Sequence, residues 1–286
     1  MVGETASVAC ILLAAIVQAQ EVPGELSEAM RTHAWEVAPE IYNFTYEEPG
    51  VMEDEGTFYG VLVSYTGRRE RTRVRRNPDT ASDDSVRWST FKIEGRYSWG
   101  EVDYDGGIYD PDTQTTTPYE IKGIDDHVFG IGFLWGQEWD PATFLNGIHV
   151  GIAYRYLNDD TSFDPYGYER ESNYVYVPIR LNAVVGSRNT WQLGFMAELD
   201  VMLVGCQISH IEPTIYNWQY GGVGAQGAIA LTYRSNAIDF AVAPFIRYWW
   251  VPESETDEVY YEDYYVEYVE PENNTTEYGL RFIIRF

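Results

Sequence analysis

The chain has 286 residues, among them 24 Tyr and 9 Trp, and its 45 Asp plus Glu against 19 Lys plus Arg give a formal charge of -26. A field of that sign repels phosphate backbones, so no nucleic-acid partner is expected. Disordered acidic chains are poor in aromatic residues, and this one is rich in them, which argues for a folded domain.

The first segment, "SVACILLAAIV", is a short apolar run, and Val17-Gln18-Ala19 offers a cleavage point after Ala19. Residues 1–19 are therefore expected to be an export signal, with a buried N-terminal helix as the alternative. Residues 20–33 read as a short periplasmic segment with at most one helical turn near Gly24 to Met30. With the signal removed, Cys206 is the sole thiol, which rules out an intrachain disulfide and a Cys-based metal site. No later stretch reaches the roughly 20 apolar residues of a membrane helix.

From residue 34 onward the pattern has period two, the signature of strands. Ten such segments lie near 34–46, 56–67, 86–103, 120–135, 143–157, 173–186, 190–206, 220–234, 236–251 and 274–286. Most are longer than the five or six residues usual in soluble proteins, roughly the length needed to cross a bilayer at a tilt. Their connections alternate. "GSRN" and "SN" have tight-turn chemistry, whereas "EEPGVMEDE", "DGGIYDPDTQTTTPY", "NDDTSFDPYGYERES", "ISHIEPTIYNWQ" and "PESETDEVYYEDYYVEYVEPEN" read as long loops. The stretch "RRERTRVRRNPDTASDDS" breaks the alternation; it is expected to extend the second strand and to turn at Asn77-Pro78-Asp79. Gly221, Gly222, Gly224 and Gly227 read as strand glycines that ease packing or bending.

Within each segment one parity is apolar. In the seventh, Trp191, Leu193, Phe195, Ala197, Leu199, Val201 and Leu203 oppose Gln192, Gly194, Met196, Glu198, Asp200 and Met202. Trp35, Trp88, Trp99, Trp135, Trp191, Tyr248, Trp249 and Trp250 sit near strand ends, as aromatic girdles at two membrane interfaces would. The other parity carries both signs of charge. Glu36, Glu40, Glu94, Glu198, Asp200 and Glu277 are expected to meet Arg96, Arg155, Arg180, Arg247, Arg281 and Arg285 in a lumen. The fold class predicted is all-β: a transmembrane antiparallel up-and-down barrel of about ten strands spanning 34–286, with both termini in the periplasm. Paired lumen charges in so narrow a barrel predict a plugged interior rather than an open pore.

The segment "YGLRFIIRF" places Tyr278, Leu280, Phe282, Ile284 and Phe286 on one parity. It resembles the C-terminal signal read by the bacterial outer-membrane assembly machinery. With "YRYLNDD", "GYERESNYVYVPI" and "PFIRYW", the chain resembles small outer-membrane barrels of the OmpA-like, opacity-type and omptin-shaped group. That resemblance implies the bacterial outer membrane as location, with its lipid, lipopolysaccharide and assembly machinery as partners.

For function, the sequence supports a structural or surface-interaction role through the external loops. A narrow porin-like channel for small solutes is the first alternative. An omptin-like rim protease is the second, since the resemblance implies an acidic pair with an Asp-x-His couple. Asp103 and Asp105 fit the pair, and His210 fits the base, but Ile208 stands where the couple needs Asp. Asp125-Asp126-His127 and Asp159-Asp160 are further rim clusters, although alternation separates neighbours onto opposite faces. No cofactor is expected. In the acidic loop, Asp257, Glu258, Glu262 and Asp263 form a candidate site for a divalent cation, and the interleaved Tyr residues offer contact area for a surface ligand.

Overall fold

The computed structural model describes residues 32–74, 85–110, 113–140, 144–186, 191–235, 238–261 and 264–286. The expected signal, most of the 20–33 segment, the turn at Asn77-Pro78-Asp79, and Glu262 and Asp263 of the acidic loop lie outside the described residues.

Thirteen strands follow in order among the described residues: β1 His33–Glu48, β2 Met52–Val74, β3 Ser85–Asp110, β4 Thr115–Asp140, β5 Leu145–Asp160, β6 Glu169–Gly186, β7 Trp191–Ser209, β8 Ile215–Gln219, β9 Val223–Tyr233, β10 Asp239–Val251, β11 Asp257–Tyr261, β12 Tyr264–Tyr268 and β13 Asn273–Arg285. Ten of them form the wall in the cyclic order β6-β5-β4-β3-β2-β1-β13-β10-β9-β7, and the β6–β7 pairing closes the ring. All pairings are antiparallel. The short β8 adds to β7 beyond the end of β9, and β11 with β12 forms a separate hairpin.

The closing seam explains the alternating C-terminal segment. β13 pairs with β1 on one side and β10 on the other, with Ile41 opposite Leu280 and Glu40 opposite Arg281. The last link is a reciprocal pair: Trp35 N–H donates to Phe286 O at 2.7 Å, and Phe286 N–H donates to Trp35 O at 3.0 Å. A barrel closed in this way leaves no unpaired strand edge within its wall, the condition for placing strands in hydrocarbon.

Alternation is nearly continuous along the wall. Outward side chains are apolar and exposed: Val63, Ile93, Ile131, Phe133, Ile152, Leu199, Val201, Ile229, Leu231, Val242, Ile246, Leu280 and Phe282 form the middle of the belt. Aromatic residues cluster at its borders. Trp35, Tyr65 and Phe91 touch in series near the end where β1 begins and β13 ends, and Trp191 packs on Tyr233 there. Tyr97 stacks on Trp99 toward the other end. Two of the expected girdle residues belong elsewhere. Trp249 is 5 % exposed and points into the lumen, and Trp88 lines the lumen wall. Both lie on the polar parity of their strands, and parity, not proximity to a strand end, decides the face.

Three connections expected as long loops are largely strand. "EEPGVMEDE" is a tight turn at residues 49–51, closed by Val51 N–H to Glu48 O at 2.8 Å with Gly50 at φ 79°. "DGGIYDPDTQTTTPY" continues β3 and β4 into a tall hairpin. The acidic stretch holds the β11–β12 hairpin, in register from Asp257↔Tyr268 to Tyr261↔Tyr264. β2 also runs on through the arginine-rich stretch to Val74, as expected. Above the lipid both strand faces meet water, so polar residues no longer end a ladder.

Candidate functional site: the lumen and its outer end

Four levels follow one another along the interior, the second lining the top of the first. The lowest is a vestibule of about 1550 Å³ that reaches the rim where β1 begins and β13 ends, where Ala34, Arg69, Arg234 and Ser235 line it. Within it Glu138 joins Arg68 at 2.7 Å and Lys92 at 3.6 Å, and Thr90 and His149 meet at 2.8 Å. Sequence reading did not single out this group, although parity counting along β3 and β4 would have placed it inside.

The middle layer is the expected charge network. Glu40 accepts from Arg247 Nη2 at 2.8 Å and Arg281 Nε at 2.6 Å, and Arg96 Nε lies 3.3 Å away. Glu277 accepts from Arg96 at 2.6 Å and Arg247 at 2.7 Å, with Arg155 at 3.7 Å. Arg180 bridges Glu94 and Glu198, and Arg285 holds Glu36 at 2.6 Å. Asp200 lies buried among them, with Oδ1 unpartnered. Arg155 makes no hydrogen bond; its guanidinium sits over the rings of Tyr174 and Trp249 at 5.8 and 5.9 Å. That cation–π contact accounts for a tryptophan in the lumen.

Above the network the lumen is greasy. Tyr42, Phe44, Tyr46, Met52, Phe58, Val102, Ile121, Ile124, Val128, Leu157 and Phe245 form one buried cluster. Phe44 packs tilted against Phe58 at 4.6 Å between centroids, and Phe58 stacks on Tyr42 at 5.5 Å. Sequence reading placed paired charges of both signs at mid-strand on the inner face. In its outer half it is a packed core, because β1, β2 and β4 turn to aromatic and aliphatic residues on the same parity, and Phe245 of β10 packs in beneath Arg247. Gly56 and Gly100 make room for it: a Cβ at Gly100 would lie 2.6 Å from the Phe58 ring.

At the outer end, above this core, lies a ring of acids around one arginine. Arg170 reaches Asp159 at 2.7 Å, Glu48 at 2.8 Å and Asp54 at 3.5 Å. Tyr46 O–H donates to Glu48 at 3.0 Å and to Glu270 at 3.4 Å. Glu270 lies in the connection after β12. Burial first, and then the Glu48 charge beside it, push its carboxyl up to about 8. Asp126 faces Asp159 across the β4–β5 ladder, while Asp125 and His127 point outward and His127 stacks on Tyr97. The sequence flagged Asp126 and Asp159 but missed Arg170, Glu48 and Asp54.

The proposed protease residues are not brought together. Asp103 and Asp105 are exposed on the outward parity of β3, and Asp103 accepts from Gly123 N–H at 3.1 Å. His210 follows β7, with β4, β5 and β6 between the two positions, and meets Glu171 at 2.9 Å. Glu169, Glu171 and His210 have ligand atoms within 4.8 Å of one another on this water-facing rim.

A closed antiparallel barrel with an apolar outer wall is an integral membrane β-barrel, and its fold is that of bacterial outer-membrane proteins. No protein-family model and no curated protein matches the chain. Among solved structures, the outer-membrane protease OmpT from Escherichia coli is similar in fold, with TM-score 0.50 and 9 % identity, over 89 % of this chain and 97 % of that one. Neisserial surface protein A is matched with TM-score 0.33 and 8 % identity, over 88 % and 99 %. The translocator domain of NalP from Neisseria meningitidis is matched with TM-score 0.36 and 8 % identity, over 98 % and 97 %. Identities this low speak to architecture and not to activity.

Proposed function

We propose that this protein is a non-conducting outer-membrane barrel that presents its outer hairpins as an interaction surface. The observation that carries this reading is the buried aromatic and aliphatic cluster across the outer half of the lumen. A path for ions or solutes needs a continuous wet lumen, and here the wet vestibule ends beneath a packed core. The barrel then serves as an anchor. Lipid covers the belt, lipopolysaccharide meets the upper aromatic border, and the acidic, tyrosine-rich β11–β12 hairpin offers charge and ring surface to a partner.

The competing narrow-channel reading has the vestibule on its side, but it requires the core to move. Reconstitution in a planar bilayer tests the choice. Sealed barrels are expected to give no steady conductance, and a large, steady, ohmic current would overturn the reading.

A further inference from the structure

The outward face of β6 and β7 carries a group of side chains that the lumen does not use. Alternation sends Arg170 inward to Asp159 and turns its neighbours Glu169 and Glu171 outward. His210, the residue after β7, reaches the same face. Its N–H donates to Glu169 O at 2.9 Å, and its Nε2 meets Glu171 Oε1 at 2.9 Å. One imidazole nitrogen and two carboxylate oxygens thus lie within 4.8 Å of one another. The strand ladder fixes the backbones that carry them, and outer partners aim the carboxylates. Asn158 of β5 donates to Glu169 Oε1 at 2.8 Å, and the Tyr156 hydroxyl bonds to Glu171.

Negative charge is uncompensated on this face. Asp160 stands directly opposite Glu169 across the β5–β6 ladder, and like charges so placed repel. Among the described residues no Lys or Arg forms an ion pair with Glu169 or Glu171. The Arg170 guanidinium is bonded to Glu48 and Asp159 on the other side of β6. We propose that Glu169, Glu171 and His210 bind one Zn²⁺ ion, with water completing the set, and so tie β6 to the connection between β7 and β8. Donor chemistry selects the ion. An imidazole nitrogen suits zinc, whereas calcium and magnesium take oxygen ligands. Spacing agrees with it. Ligand atoms about 2.1 Å from a tetrahedral ion stand about 3.4 Å from one another. Glu171 and His210 need only open slightly from 2.9 Å, and the other spacings, none above 4.8 Å, close by side-chain rotation at a rim open to water. The site stands whether or not the lumen conducts.

The test uses the full barrel, folded in detergent without lipopolysaccharide, stripped with a chelator and then titrated with zinc chloride alone. Calorimetry is expected to count one tight site per barrel. His210→Ala should weaken it by more than the roughly 10–100-fold that outer partners of a metal site are worth, and Asn158→Ala should weaken it within that range. Glu171→Gln repeats the test should His210→Ala fold poorly. His127→Ala, which removes another outward histidine, and deletion of residues 257–268 should leave the site intact. Co²⁺ in its place should give the visible absorption of a four-coordinate centre, lost in His210→Ala. Equal zinc binding by the wild type, His210→Ala and Glu171→Gln would overturn the proposal, as would a signal that disappears with the hairpin. So would Ca²⁺ binding as tight as that of Zn²⁺, or no tight zinc uptake at all.

Discussion

Arg96 on β3 and Glu277 on β13 meet at 2.6 Å although 181 residues separate them in sequence and β1 and β2 stand between their strands. The contact spans the lumen from wall to wall. Together with Arg247 and Glu40 it turns the middle of the barrel into a cross-braced layer, in which each glutamate is shared by several guanidiniums.

Such a layer is sensitive to the loss of one member. Glu277→Ala would leave Arg96, Arg247 and Arg155 facing one another without their shared anion. Breaking a buried pair from one side costs about 3–5 kcal/mol. Guanidinium unfolding of detergent-folded protein should show a loss of that order. A double variant, Glu277→Ala with Arg96→Met, should recover part of it.

The core above the braces should behave like the core of a soluble protein. Phe58 is fully buried between Tyr42 and Phe44. Phe58→Ala should cost about 3–5 kcal/mol through lost burial and the cavity left behind. An outward residue of similar size, Phe133, stays in contact with lipid or detergent whatever its neighbours do, so Phe133→Leu should cost far less. The same unfolding assay compares the two.

The closing seam depends on a residue without a side chain. A Cβ at Gly279 would lie 2.1 Å from Ile41 O and 2.4 Å from Tyr42 Cβ. Gly279→Val therefore forces β13 away from β1. The heat-resistant compact form on unboiled gels should be lost or shifted to lower temperature, whereas Gly95→Ala, with nothing within 4 Å of its Cβ position, should leave it unchanged.

Much of this was legible in the sequence. Period-two alternation gave the wall, its parity gave the lipid face, and the inward Arg and Glu residues of β1, β3, β6, β7, β10 and β13 gave the braces. What escaped was a change of chemistry at constant parity. Tyr42, Phe44 and Phe58 alternate just as Glu40 does, so periodicity alone reports their face and not what fills it. Strand ends escaped for a related reason. Glu48, Asp54 and Arg170 look like loop residues until the ladder is seen to continue above the bilayer. Trp249 was misplaced because a tryptophan near a strand end suggests an interface, whereas here it serves Arg155.

Glu270 predicts a pH dependence with a definite sign. Its carboxyl titrates near 4.5 in an ordinary setting and at about 8 here. The folded protein thus holds this proton more tightly than the unfolded chain does. The resulting stabilisation is complete below about 4.5 and is lost as pH rises to about 8. The groups around it are Tyr46 and Glu48 from β1, Arg170 from β6, and Ser254, whose hydroxyl accepts from the Glu270 N–H at 2.8 Å. The melting temperature should fall across that window, and Glu270→Gln should flatten the fall.

The protease candidates give a negative prediction. Asp103 and Asp105 face away from the lumen, and His210 is engaged by Glu171. Peptide hydrolysis by purified protein should be indistinguishable between wild type and His210→Ala. A loss of cleavage in the variant would restore the enzymatic reading.

The vestibule gives the molecule two unlike ends. Seen from the end where β1 begins and β13 ends it is a cup; seen from the opposite end it is a capped post. A small carboxyl-directed reagent trapped on the cup side of a vesicle should find Glu36 and Glu138, which line the vestibule, while the same reagent on the post side meets the acids of the hairpins. Chemical footprinting from each compartment in turn would therefore report which way a reconstituted barrel points, without any tag.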